Sequence, residues 1–169
     1  GRLNDPRLRE NFIARVFACH RGKDMEVGGT TRAALMAFHA AHKFLCMARN
    51  QSGTRRLGRL LAEAPKRMSA ARLAARYRAD FAAVMRRPPT VKGHTNVLQH
   101  MAGYVSDDID AGDREELTNA IHNYRRGLLP LVVPLTLIRH HARRLQQPYL
   151  LEQAYLNPHP YELMLLNHV

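Results

Sequence analysis

Leu128-Leu-Pro-Leu-Val-Val-Pro-Leu-Thr-Leu-Ile138 is the stretch on which the fold class turns, because it is the one place where a buried strand competes with a helix. The run is continuous, apolar and partly β-branched, which is the composition of a strand covered on both faces. Its prolines decide otherwise. Pro130 and Pro134 would each delete a ladder donor in a sheet. In the opening turn of a helix the same residues cost little, since those amides have no intrahelical partner to lose. The stretch therefore predicts a buried helix over about 131–145.

The segments on either side read the same way. Pro148 opens a last helix to Asn157, and Pro158 and Pro160 precede a terminal turn, Glu162-Leu-Met-Leu-Leu-Asn167. Toward the N-terminus, Asp107, Asp108, Asp110, Asp113, Glu115 and Glu116 sit favourably at the start of a helix running to Arg126 and closed by Gly127. Val91, Val97, Leu98, Met101 and Val105 fit a period near 3.6 after Thr90, and Pro88-Pro89 separates that helix from the one before. Ser69 caps a helix with Leu73, Tyr77, Phe81, Val84 and Met85 on one face, ending at Arg86. Pro65 stops a shorter helix over 54–64. Gly28-Gly29 and a cap at Thr30 or Thr31 precede a helix to Asn50 whose inner stripe is Leu35, Phe38, His42, Leu45 and Cys46. Asp5-Pro6 starts the first helix, with Leu8, Phe12, Ile13, Val16 and Phe17 as its stripe to about Arg21. No segment sustains period-2 alternation, and no repeat of 20 to 50 residues is visible. The expectation is an all-α, single-domain bundle of seven or eight helices.

Composition supports one folded unit. The chain has 169 residues, 46% of them apolar and 24% charged, enough for one core and too few for two full domains. Cys19 and Cys46 are its only cysteines, so neither a disulfide framework nor a four-thiolate metal site can be built from it. No run of 18 apolar residues occurs and the N-terminus lacks a signal-peptide core, which reads as a cytoplasmic protein with no membrane segment. The chain opens on Gly1 rather than Met, as a cloning scar or a segment of a longer polypeptide would.

Charge is the most informative feature. The net charge is +12, and residues 49–92 alone carry 12 basic and 2 acidic side chains. Ten of those basic residues, Arg55, Arg56, Arg59, Lys66, Arg67, Arg72, Arg76, Arg86, Arg87 and Lys92, cluster in one helix pair and its flanks. Uncompensated like charges repel, and a polyanion relieves that repulsion. Arginine dominates, and a guanidinium forks onto phosphate or stacks on a base where an ammonium cannot. A membrane-surface helix would add a wide exposed apolar face, and these stripes are only as wide as a core requires. The bland alternative is an Arg-rich surface that merely solubilises the fold.

Ten histidines raise the question of a metal or acid-base site. His39 and His42 share a helix face and form one half of a bundle site, but no carboxylate follows on the same faces. His94 and His100 lie about 240° apart around a helix and do not converge. The alternative is that His39, His42 and His100 bond across helices, with His140-His141 an exposed pair at a helix C-terminus. Cys46 has His42 one turn back, yet a buried cysteine is more often a small hydrophobe. Phosphate-binding and hydrolase motifs are absent, and Gly28-Gly29-Thr30-Thr31 is only a weak anion signal. The segment from Arg87 to Tyr104 differs in character: it sets Lys92, His94, Asn96, Gln99, His100 and Tyr104 beside the basic pole.

Four stretches carry a family resemblance: Phe38-His-Ala-Ala-His-Lys43, the Pro88 to Tyr104 segment with its HTNVLQHMAGY, YRRGLLPLVVP from Tyr124 with the following LTLIRHH, and the ending NPHPYELMLLNHV. In this order they resemble the YbgA-like family, domain of unknown function 1722, over nearly the whole chain from Phe38. Leu166 departs from the basic residue expected before the terminal Asn-His-Val. The opening GRLNDPRLRENFIARVF is similar to the junction found where this domain follows a desulfidase domain, as in fusions of the RudS type that remove sulfur from 4-thiouridine in transfer RNA. The resemblance implies residues 1–29 as an N-terminal helix and junction and 30–169 as the helical domain. It implies that an iron-sulfur cluster belongs to the preceding domain, that this domain holds no cofactor, and that its part is to grip transfer RNA.

The combined expectation is a non-catalytic RNA-binding module. The ten clustered basic residues would hold phosphates, with Lys43, His94, Gln99 and Tyr104 as polar or stacking contacts. From other classes come a domain that docks an acidic protein or its own catalytic neighbour, and a metalloenzyme using His39 and His42.

Overall fold

The computed structural model describes residues 6–27 and 29–157, and the side chains of 11–23 and 29–157. Eight helices follow one another: α1 Pro6–Val27, α2 Arg32–Met47, α3 Gln51–Glu63, α4 Ala70–Met85, α5 Val91–Ala102, α6 Ala111–Arg125, α7 Val132–Arg144 and α8 Pro148–Leu151. No strand occurs among the described residues, and the fold is all-α as the sequence predicts.

The caps explain the boundaries. Thr31, Asn50, Ser69, Thr90 and Asp110 each accept, on a side-chain oxygen, the amide of the residue three positions on, which satisfies one orphan donor per helix. Gly127 takes a φ of +74°, the left-handed conformation that closes α6. In the deciding stretch, Pro134 occupies the third position of α7 and is buried, where an amide would have had no carbonyl to meet.

Three expectations are corrected. Helix α1 continues past Arg21 to Val27, since Gly22 alone does not stop it. Its inward face is Ala14 and Ala18, one turn apart, while Phe12 and Val16 are about half exposed; small side chains let α1 lie close on α2 and α4. Helix α8 ends at Leu151 rather than Asn157. The Ala154 amide donates to Ala41 O at 2.8 Å and Gln153 Nε2 to Ala40 O at 2.9 Å, so the chain leaves the helix to dock on α2. Asp5, Gly28 and the 162–167 turn with Leu166 lie outside the described residues.

The core runs through the centre of α2, α4, α5 and α7, with Leu35, Leu73, Met85, Leu98, Met101, Ile138 and Leu150 at 2% exposure or less. Helices α3 and α4 form an antiparallel hairpin, fixed by the approach of Gly53 to Val84 near its open end. Arg32 pins the closed end, donating to Ala64 O, Pro65 O and Met68 O. That guanidinium neutralises the carbonyl end of α3 and holds the turn.

Candidate nucleic-acid interface

The α3–α4 hairpin carries the excess charge outward. On α3 the buried side is Gly53, Thr54 and Leu57, and Arg55, Arg56 and Arg59 occupy the opposite arc. On α4 the buried side is Leu73, Ala74, Tyr77, Phe81, Val84 and Met85, leaving Arg72 and Arg76 one turn apart on the solvent side with Arg86 following at the C-cap. Lys66 and Arg67 ride the turn between the helices, and Arg87 and Lys92 flank the junction to α5. All ten are exposed, and among the described residues none makes an ion pair or a side-chain hydrogen bond. Because the hairpin is antiparallel, Arg55 and Arg56 share an end with Arg86 and Arg87, while Lys66, Arg67 and Arg72 share the other. At 1.5 Å per residue the 16 residues of α4 separate the two ends by about 24 Å.

Several cations elsewhere are committed to the fold. Arg49, 8% exposed, donates to Leu45 O at 3.1 Å and to Asn11 Oδ1 at 2.9 Å. Arg114 donates to Ser106 O and Ile109 O across the α5–α6 turn. Arg139 donates to Leu156 O. Arg144 meets Asp113 at 3.0 Å. Lys43, Arg125, Arg126 and Arg143 are exposed and make no side-chain hydrogen bond or ion pair among the described residues either, so residues 49–92 hold the largest share of the unspent charge and not all of it.

The four additional contact candidates separate. Lys43 is exposed on α2, and Gln99 is exposed on α5. Tyr104 is 42% exposed and lies against Tyr149, with ring centroids 5.2 Å apart. His94 is turned inward instead. Its Nδ1 is 2.6 Å from the Tyr155 hydroxyl and its ring meets the edge of Tyr124. Burial, and then the charge of Arg49, push its pKa down to about 4, and the ring is half-buried.

The histidine pair of α2 is likewise engaged. His42 Nδ1 donates to Phe38 O at 2.9 Å, which leaves Nε2 to accept from Arg21 Nε at 3.2 Å. Burial holds the ring neutral, with its pKa lowered to about 4. His39 Nδ1 is 3.0 Å from the hydroxyl of Tyr77, which is 2% exposed. That buried phenol must place its hydrogen, and His39 Nδ1 is the partner it has, so the neutral ring carries its own proton on Nε2. The two histidines therefore do not present a shared pair of lone pairs. Cys46 is buried and its thiol pushed up to about 12, chiefly by desolvation. His100, for which bonding across helices was the alternative reading, is exposed, and His141, read there as part of an exposed pair, is 3% exposed with Nδ1 3.9 Å from Asp113.

One concavity joins these elements. A groove of about 600 Å³ opens between α2 and α3 and reaches α5 and α8. His39, Lys43, Arg55, His100 and Tyr149 line it, over a floor that includes Met47, Gly58 and Leu61. No carboxylate is among its lining residues. Gly58 borders it, and a Cβ there would sit 3.4 Å from His39 Nε2, in van der Waals contact. Of the sequence candidates, Lys43 and Arg55 reach this groove. The reading of charge did not find Gly58 or Tyr149. A lone glycine inside an amphipathic helix was the available signal for the first; the second needed the docking of α8.

An all-α bundle with a basic hairpin and a carboxylate-free groove defines the class. The family model described as "Protein of unknown function (DUF1722)" matches residues 43–160, and the chain belongs to that family. It is 31% identical over 158 residues to the uncharacterized protein YbgA of Escherichia coli (strain K12), covering 94% of each chain. No solved structure matches it. An iron-sulfur cluster does not fit the residues present, because such clusters take about four ligands, mostly cysteines, and the chain has two, on α1 and α2.

Proposed function

We propose that this chain is a non-catalytic RNA-binding module that holds transfer RNA by its phosphate backbone. The observation that carries this reading is the set of ten exposed cations on and beside the α3–α4 hairpin, without carboxylate partners among the described residues. A solubilising surface intersperses both signs; this hairpin sets only Glu63 and Asp80 against its basic residues. A stripe about 24 Å long spans several phosphates of an RNA strand, and arginine is the residue best matched to them.

The finer reading follows from the resemblance to desulfidase fusions. In it the module presents transfer RNA to a neighbouring desulfidase domain acting on 4-thiouridine, in the cytoplasm, and brings no cofactor of its own. The same basic hairpin also complements an acidic protein, including that catalytic neighbour, and this is the competing reading.

Gel-shift titration with transfer RNA at 50 and 200 mM salt separates the two. If six to ten cations neutralise phosphates, affinity falls by about three to five decades over that range. RNA binding that is weak and insensitive to salt contradicts the proposal.

A further inference from the structure

The groove beside the hairpin is built for something more specific than backbone phosphate. We infer that it takes one unstacked nucleotide of the bound RNA, its phosphate toward Lys43 and Arg55 and its base over the Met47–Leu61 floor beside Tyr149; this rests on the RNA-binding reading above.

Four observations converge. At about 600 Å³ the groove falls within the range of small-ligand sites. Its cations come from two different helices, Lys43 from α2 and Arg55 from α3, with the His100 ring of α5 beside them, and no acidic side chain lines it. Such a set suits an anion with several oxygens. The floor supplies apolar contact from Met47 and Leu61, and Tyr149 supplies a ring held by Tyr104 and Phe44 at centroid distances of 5.2 and 6.1 Å. A base is the part of a nucleotide that such contacts stabilise. Finally, His39 Nε2 borders the groove at Gly58 and carries a proton, because Nδ1 is taken by Tyr77. That is a fixed donor for a base-edge oxygen or nitrogen, held by a buried phenol and not by a mobile surface chain.

Position adds the link to RNA. Arg55 lines the groove and also belongs to the exposed arc of α3 with Arg56 and Arg59. A strand held along the hairpin can therefore turn one unpaired nucleotide inward without leaving the basic surface. Duplex RNA cannot do this without breaking a pair.

The test compares a single-stranded 12-nucleotide oligouridylate with a 12-base-pair duplex, and adds uridine monophosphate and inorganic phosphate as free probes. The variants are Gly58→Leu, which fills the groove, Lys43→Glu, which reverses one of its charges at an exposed position, and Arg72→Gln/Arg76→Gln, which weakens the hairpin alone. Wild type is expected to prefer the single strand by roughly tenfold and to bind the monophosphate better than phosphate. Gly58→Leu and Lys43→Glu should each abolish that preference while keeping a steep salt dependence; the arginine pair should weaken both RNAs and leave the monophosphate unaffected. Should Gly58→Leu fail to fold, Lys43→Glu decides. A wild-type protein that binds both RNAs equally, or a preference that survives both groove variants, overturns the inference. Wild type that binds neither RNA overturns the reading beneath it instead. Binding of the monophosphate with no single-strand preference assigns the groove to a free nucleotide and overturns its role in RNA.

Discussion

Gly93 in the first turn of α5 lies so close to the end of α2 that a Cβ would fall 2.1 Å from the carbonyl oxygen of Ala48. The obstacle is backbone, so it cannot rotate away. Gly93→Ala must push α5 off α2, and because α5 carries Val97, Leu98 and Met101 into the core, the whole crossing shifts. Overpacking of this kind costs about 1–3 kcal/mol or more, which for this length lowers Tm by roughly 2–10 °C. Thermal unfolding followed by circular dichroism checks it; an unchanged Tm refutes the close contact.

Arginines of identical chemistry should behave in opposite ways. Arg32 satisfies three carbonyls at the α3–α4 turn, and Arg32→Ala is expected to cost about 1.5–3 kcal/mol of stability. The Arg72 and Arg76 side chains are exposed and make no hydrogen bond or ion pair among the described residues, so Arg72→Gln/Arg76→Gln should leave stability within about 0.5 kcal/mol. It should also reduce the salt slope of RNA binding by roughly one to two. Urea unfolding and affinity measured on the same variants read both quantities.

Stability should fall on mild acidification. His42 and His94 stay neutral in the fold down to about pH 4, whereas in the unfolded chain they protonate near 6.5. Between those values the unfolded state binds more protons, so stability is full above about pH 6.5 and declines toward pH 4. The two together account for a loss on the order of a few kcal/mol. Urea midpoints at pH 7, 5.5 and 4.5 should decrease in that order, and a flat profile would show that these rings are not held neutral.

Cys46 should resist modification in the folded protein. It is 1% exposed and its thiol is held protonated well past neutral pH, so neither the thiolate nor access is available to an alkylating reagent. Mass spectrometry after iodoacetamide treatment at pH 8 should find Cys46 unlabelled without denaturant and labelled with it. Rapid native labelling would contradict its placement in the core.

The helical fold was legible because its signals are local. Pro130 and Pro134 exclude a strand whatever surrounds them, and Thr31, Ser69, Thr90 and Asp110 cap within three residues of themselves. The charged hairpin was legible for the same reason, since Arg55, Arg59, Arg72 and Arg76 recur at helical spacing. What was lost depended on distant partners. Helix α8 stops early because α2 carbonyls capture Gln153 and Ala154, a contact spanning more than a hundred residues. The first helix turned Ala14 and Ala18 inward, against the hydropathy of Phe12 and Val16, because closeness to α2 outweighed side-chain size. Which of His94 and His100 faces the protein depends on how α5 packs, and His94 meets Tyr155 sixty-one residues on while His100 is exposed. No sequence pattern near Tyr149 announces that it borders a groove with Lys43.

The most direct test of the central claim is the slope of log affinity for transfer RNA against log salt, for wild type and for a variant with Arg55, Arg56, Arg72 and Arg76 changed to Gln. Release of counterions from six to ten phosphates predicts a wild-type slope between about −4 and −9, made shallower by about three to four units in the variant. Equal slopes in the two proteins, with the variant still folded, would contradict the assignment of phosphate binding to the α3–α4 hairpin.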